Sequence, residues 1–156
     1  MKRRAKLSVL LSVVIGIVFI VLLVAIAIIM PSLVESLLSA PDLIGDRENL
    51  PQAIHTLILV LSYCVIAVAL AAVGFLFALL RLVSSARVFC ERAVRLISLI
   101  ALCCFAEGVL FLAIGVWFQL ALIAGAAAIF LGLCLRVTAS VISEAIRYKA
   151  ENDLTV

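Results

Sequence analysis

LISLIALCCFAEGVLFLAIGVWFQLALIAGAAAIFLGLCL, residues 96–135, is the stretch on which the fold turns. Its one charge is Glu107, and it is twice as long as the about 20 apolar residues a helix needs to cross the hydrocarbon core of a bilayer. Backbone groups left unpaired in lipid are costly, so the run must fold back at a membrane surface and not inside it. Gly115 to Gln119 is the expected turn: Trp117 suits the headgroup level, and Gln119 is the only strongly polar side chain beside it. The stretch therefore reads as a helical hairpin of two spans.

Outward from this hairpin, Leu7 to Met30 carries no charge and is expected to end at Pro31, while Ile54 to Leu80 carries only His55 near its start. Each is one span long. The reading is an all-α polytopic membrane protein with four transmembrane helices, at approximately 7–32, 54–81, 94–116 and 119–146, an outer loop at 33–53 and a tail at 147–156. Composition agrees. The 156 residues are 68% hydrophobic and 13% charged, with mean hydropathy +1.43, where soluble chains are about 45–50% apolar and about 25% charged. No stretch outside the spans is long enough for a separate catalytic domain. The first apolar run exceeds the about 7–15 residues of a signal-peptide core, and Ser39-Ala40 is followed by Pro41, so an uncleaved span is expected.

Basic residues set the expected orientation. Lys2, Arg3, Arg4 and Lys6 precede the first span, Arg81, Arg87, Arg92 and Arg95 fill the second connection, and Arg147 and Lys149 follow the last. The first loop holds Arg47 against Glu35, Asp42, Asp46 and Glu48. Lys and Arg stay on the cytoplasmic side, which places both termini there. The net charge of +3 then reflects topology and attraction to anionic lipid, not direct nucleic-acid binding. Leu33, Val34, Leu37 and Leu38 recur at helical spacing after Pro31 and suggest a short amphipathic helix on the outer surface.

Two further segments stand out. Val88 and Phe89 precede Glu91 and Arg95, which with Arg87 are spaced to share one helical face and anchor the third span. In the tail, Glu144 is placed to pair with Arg147 or Tyr148. Asp153, Leu154, Thr155 and Val156 end the chain with two apolar side chains beside a carboxylate, which could add to a partner's sheet edge or fray in solvent. The stretch Val88-Phe89-Cys90-Glu91-Arg92-Ala93-Val94-Arg95 leading into Leu96 to Ile100 is similar to "VF[ST]xxNVxRLRxI" of the bacterial domain-of-unknown-function 2975 family. The closing Glu151-Asn152-Asp153-Leu154-Thr155-Val156 resembles that family's "E-x-D-L-T-[VI]" end, and the likeness extends over essentially the whole chain. Cys90 stands for the small hydroxyl residue, Ala93 for the asparagine, and Ile97 and Ser98 depart from the Leu-Arg part. The resemblance implies a four-helix protein of the bacterial inner membrane without established activity, often encoded beside a small helix-turn-helix regulator, which is thereby the implied cytoplasmic partner.

Candidate chemistry is sparse. Glu107 lies 11 residues beyond Leu96, about 16 Å up the helix and near the bilayer centre, where an ionised side chain costs about 2.5–3.5 kcal/mol on insertion scales. The expectation is a neutral acid hydrogen-bonded to Ser62, Tyr63 or a backbone carbonyl; the functional alternative is a proton or cation relay. Arg136 is the candidate ion partner, although its place near the cytoplasmic end favours snorkelling to the headgroups. Ala124, Ala128 and Gly132, and likewise Gly74 and Ala78, lie four apart, and Gly108 and Gly115 seven apart, as helix contact faces do in lipid. Such faces close a bundle internally, bind another membrane protein, or join copies into a homo-oligomer. The five cysteines show no CxxC spacing, and His55 is the only imidazole, so neither a disulfide framework nor a metal site nor a cofactor is expected. No catalytic constellation can be assembled, so an enzyme is not expected. Two functions remain: a non-catalytic interaction or regulatory protein, or a small transporter or channel-forming oligomer with Glu107 in the pathway.

Overall fold

A computed structural model describes residues 2–38, 52–84 and 90–153. These form four helices: α1 (Lys2–Leu38), α2 (Gln52–Ser84), α3 (Glu91–Ile114) and α4 (Gln119–Asp153). Each is long and apolar enough to cross a membrane, which makes this a multi-pass membrane protein. α3 and α4 meet where the hairpin was expected. Gly115 caps α3, its amide donating to Phe111 O at 2.8 Å, and the Trp117 and Phe118 amides both donate to Ile114 O, at 3.0 and 3.1 Å. The turn thereby supplies donors to carbonyls of the last helical turn, Phe111, Ala113 and Ile114, which a helix C-terminus otherwise leaves unpaired.

One expected boundary is wrong. α1 does not end at Pro31 but runs through it to Leu38, so Leu33 to Leu38 continue the span and are not a separate surface helix. An interior proline has no N–H for the carbonyl four residues back, which leaves Ala27 O without its helical donor and costs about 3 kcal/mol or more in an isolated helix. The structure supplies a substitute: the Tyr63 hydroxyl of α2 donates to Ala27 O at 3.2 Å. Ser32 Oγ donates to Ile29 O at 2.8 Å in the same turn. Continuation also lets Val34 pack, and it is 2% exposed.

The four helices do not close into a bundle, one of the uses open to the small-residue faces. Among the described residues α1 packs on α2, α2 on α3 and α3 on α4, with no close backbone approach between α1 and α3, α1 and α4, or α2 and α4. The result is an open row of antiparallel neighbours. Its accessible area of 11188 Å² exceeds the about 7,600 Å² of a compact soluble monomer of the same mass. α1 buries a single stripe, Gly16, Leu23 and Val34, and leaves Ile17, Val21 and Ile28 exposed.

The tightest seam joins α3 to α4. Ala101, Gly108, Gly125, Gly132 and Ala139 are all buried in it. A methyl group at Gly125 would lie 3.0 Å from Gly108 O, and one at Gly132 would lie 3.3 Å from Ala101 O, so the two backbones nearly touch. The expected contact residues Gly108 and Gly132 hold, and the rest of the α4 stripe is shifted. Ala124 is exposed, and the packing positions Gly125, Gly132 and Ala139 are seven apart, the spacing of an antiparallel knobs-into-holes seam. Gly74 and Ala78 are exposed as well, with nothing within 4 Å of a methyl group at Gly74.

Candidate functional site

Glu107 projects from the middle of α3 into a cleft of about 520 Å³. α2 forms the floor with Ala69, Ala72, Val73, Leu76 and Leu80; α1 contributes Ser12, Ile15, Gly16 and Phe19, and α3 adds Ile100. The α1 and α3 backbones do not approach closely, and the cleft lies open between them on the side that lipid would occupy. Helix order places Ser12 and Leu80 at its end nearer the chain's N-terminus and Glu107 at the other. The lining is apolar apart from Ser12 and Glu107.

The expected partners of the carboxylate are engaged elsewhere. Ser62 is buried and donates to Ile58 O at 2.8 Å within its own helix, and Tyr63 serves Ala27 O. Glu107 makes no hydrogen bond or ion pair with a described residue. Arg136 does not meet it either. The pairing of Gly108 with Gly125 and of Ala101 with Gly132 sets Arg136 level with the first turns of α3, about 15 Å in depth from Glu107 at 1.5 Å per residue, and its residue is exposed.

A second cavity, of about 600 Å³, lies where the start of α3 meets the end of α4, lined by Glu91, Val94, Arg95, Ser98, Ser143, Ile146 and Arg147. Glu91 and Arg95 are therefore together, though not ion-paired with each other. Arg147 reaches Glu144 at 2.9 Å and Glu151 at 3.9 Å, with its guanidinium 5.8 Å from the Tyr148 ring centroid. Val88 and Phe89, Arg87, and the terminal Leu154, Thr155 and Val156 lie outside the described residues; Asp153 is the last helical residue. None of the five cysteines is in a disulfide. Among the described residues no group of His, Cys, Asp or Glu is arranged to hold a metal ion.

Three features escaped the sequence reading. The Tyr63 to Ala27 bond had half a signal, since Pro31 marks Ala27 O as unpaired, but nothing local names a donor 36 residues away. Gly125 was legible only as one small residue among Ala124, Ala126, Ala127 and Ala128. The cleft requires three helices to be placed at once. Compared with known proteins, residues 45–156 match the family described as protein of unknown function (DUF2975). The match covers α2 to α4 and leaves α1 outside it, a narrower extent than the whole-chain likeness expected. No curated protein and no solved structure matches.

Proposed function

The chain belongs to the DUF2975 family of proteins of unknown function, and from that premise we propose that it is a non-catalytic interaction or regulatory protein that binds partners within the bilayer or at its cytoplasmic face. The observation that carries this reading is the open row. Among the described residues α1 and α4 each pack on one neighbouring helix, which leaves long apolar faces exposed, such as Val14, Ile17, Val21 and Ile28 on α1 and Ile123, Phe130, Val137 and Val141 on α4. In lipid these faces are soluble as they stand, and a second membrane helix can pack on them without prior unfolding.

The basic residues flanking α1, α2, α3 and α4 support placing both termini in the cytoplasm. With them go the tail from Asp153 to Val156 and the segment around Glu91 and Arg95, within reach of a cytoplasmic regulator. A bacterial inner membrane is the compartment the family likeness supports. A second reading, an oligomeric pore or transporter, draws on Glu107 standing in a cleft and not in a packed contact.

In-cell cross-linking with mass spectrometry on wild type, Glu107→Gln and a chain ending at Asp153 separates the two. A specific partner protein, lost when the tail is removed and kept in Glu107→Gln, is the expected result. Self-cross-links alone, altered by Glu107→Gln, would overturn the interaction reading in favour of the pore.

A further inference from the structure

We propose that the cleft between α1, α2 and α3 is a binding site for a lipophilic cation, with Glu107 as its counter-ion. The cavity of about 520 Å³ falls within the about 300–1,000 Å³ of small-molecule sites, which pair a mainly apolar lining with a few placed polar groups. Ile15, Phe19, Val73, Leu76 and Ile100 supply the apolar walls, and Phe19 adds an aromatic ring, a surface that favours cations. Glu107 supplies the single acidic group, and the chain offers it no described hydrogen bond or ion pair. A cation brought into this depth of membrane therefore meets an acidic group that ionises to complement it and that no described residue engages.

The same geometry selects against hydrated metal ions. Calcium takes six to eight oxygen ligands and magnesium six, whereas this cleft presents oxygens only from Glu107 and the Ser12 side chain. A ligand whose charge is spread over or shielded by apolar groups needs no such shell. Its route is also in the structure, because the α1 and α3 backbones stand apart and leave the cleft open to the bilayer, where lipophilic cations concentrate. The inference is independent of the partner-binding reading above, since it concerns a ligand taken up by one chain.

The test is binding of tetraphenylphosphonium to the full chain in phosphatidylcholine nanodiscs, measured by equilibrium dialysis against empty discs. Wild type is expected to show one saturable site. Glu107→Gln should weaken it by about tenfold or more, the effect of losing the counter-charge in surroundings of low dielectric. Ala72→Phe, which fills the cleft and keeps the carboxylate, should weaken it as well, while neutral triphenylphosphine oxide should not compete. Uptake no greater than that of empty discs, equal affinity in Glu107→Gln, or competition by the neutral compound would each overturn the proposal. Size-exclusion profiles establish that each variant is folded, and should Glu107→Gln aggregate, unchanged binding by Ala72→Phe overturns the proposal by itself.

Discussion

Gly125→Ala is the smallest change that tests the packing of α3 on α4. The new methyl would stand 3.0 Å from Gly108 O and 3.2 Å from both Leu112 N and Leu112 Cγ. Two of those three atoms are backbone, so no rotamer change can clear them. Ordinary van der Waals contact begins near 3.4 Å, so the helices must part by a few tenths of an ångström along a seam that also holds Ala101, Gly132 and Ala139. Overpacking of this kind costs about 1–3 kcal/mol, against a gain of about 0.5–1 kcal/mol from replacing glycine by alanine inside a helix. The net expectation is a loss centred on about 1 kcal/mol, within bounds of about 0 and 2.5 kcal/mol. Gly74→Ala is the internal control, because nothing lies within 4 Å of its methyl and only the helix-propensity gain remains. Unfolding in mixed detergent micelles, titrated with dodecyl sulfate and followed through Trp117 fluorescence and helical circular dichroism, reads both variants on one scale. Gly125→Ala should unfold at lower dodecyl sulfate fraction than wild type and Gly74→Ala at an equal or higher one. If Gly125→Ala matches wild type, or Gly74→Ala is the more damaging, the seam has been assigned to the wrong face.

Three other outcomes are expected. Tyr63→Phe removes the donor to Ala27 O and should cost about 0.5–1.5 kcal/mol in the same titration; in a Pro31→Ala background, where residue 31 regains its N–H, the cost should shrink toward zero, and an undiminished cost would show that Tyr63 does not act through the proline. Glu107→Gln should leave stability unchanged or raise it, because the carboxylate holds no described partner and an ionised group at this depth is costly; a marked loss would reveal a structural bond to the acid. Arg147→Ala should cost less than about 1 kcal/mol, and less still at high salt, since the Arg147 and Glu144 side chains are 62% and 52% exposed and such pairs are weak and screened; a larger, salt-independent loss measured by the same unfolding assay would contradict a surface role.

The part of this protein legible from its residues is the part governed by local comparison with the bilayer. The run from Leu96 to Leu135 had to turn because it is too long for one crossing, and Gly115, Trp117 and Gln119 mark where, so the hairpin follows from chain length and polarity alone. Glu107 was equally visible as a charge in an apolar run. The contact faces were visible only in part, at Gly108 and Gly132, for one physical reason: a helix in lipid is apolar on every side, so hydrophobic periodicity, which marks the buried face of a soluble helix, does not distinguish a neighbour from a fatty acid chain. Choosing Gly125 over Ala124, and leaving Gly74 bare, depends on close backbone approach between two helices. The survival of α1 beyond Pro31 depends on a hydroxyl from another helix, since lipid offers the freed carbonyl no water. The surroundings of Glu107 were decided in the same way, by an open row in which α1 and α3 stand apart over α2 and leave the acid facing a cleft.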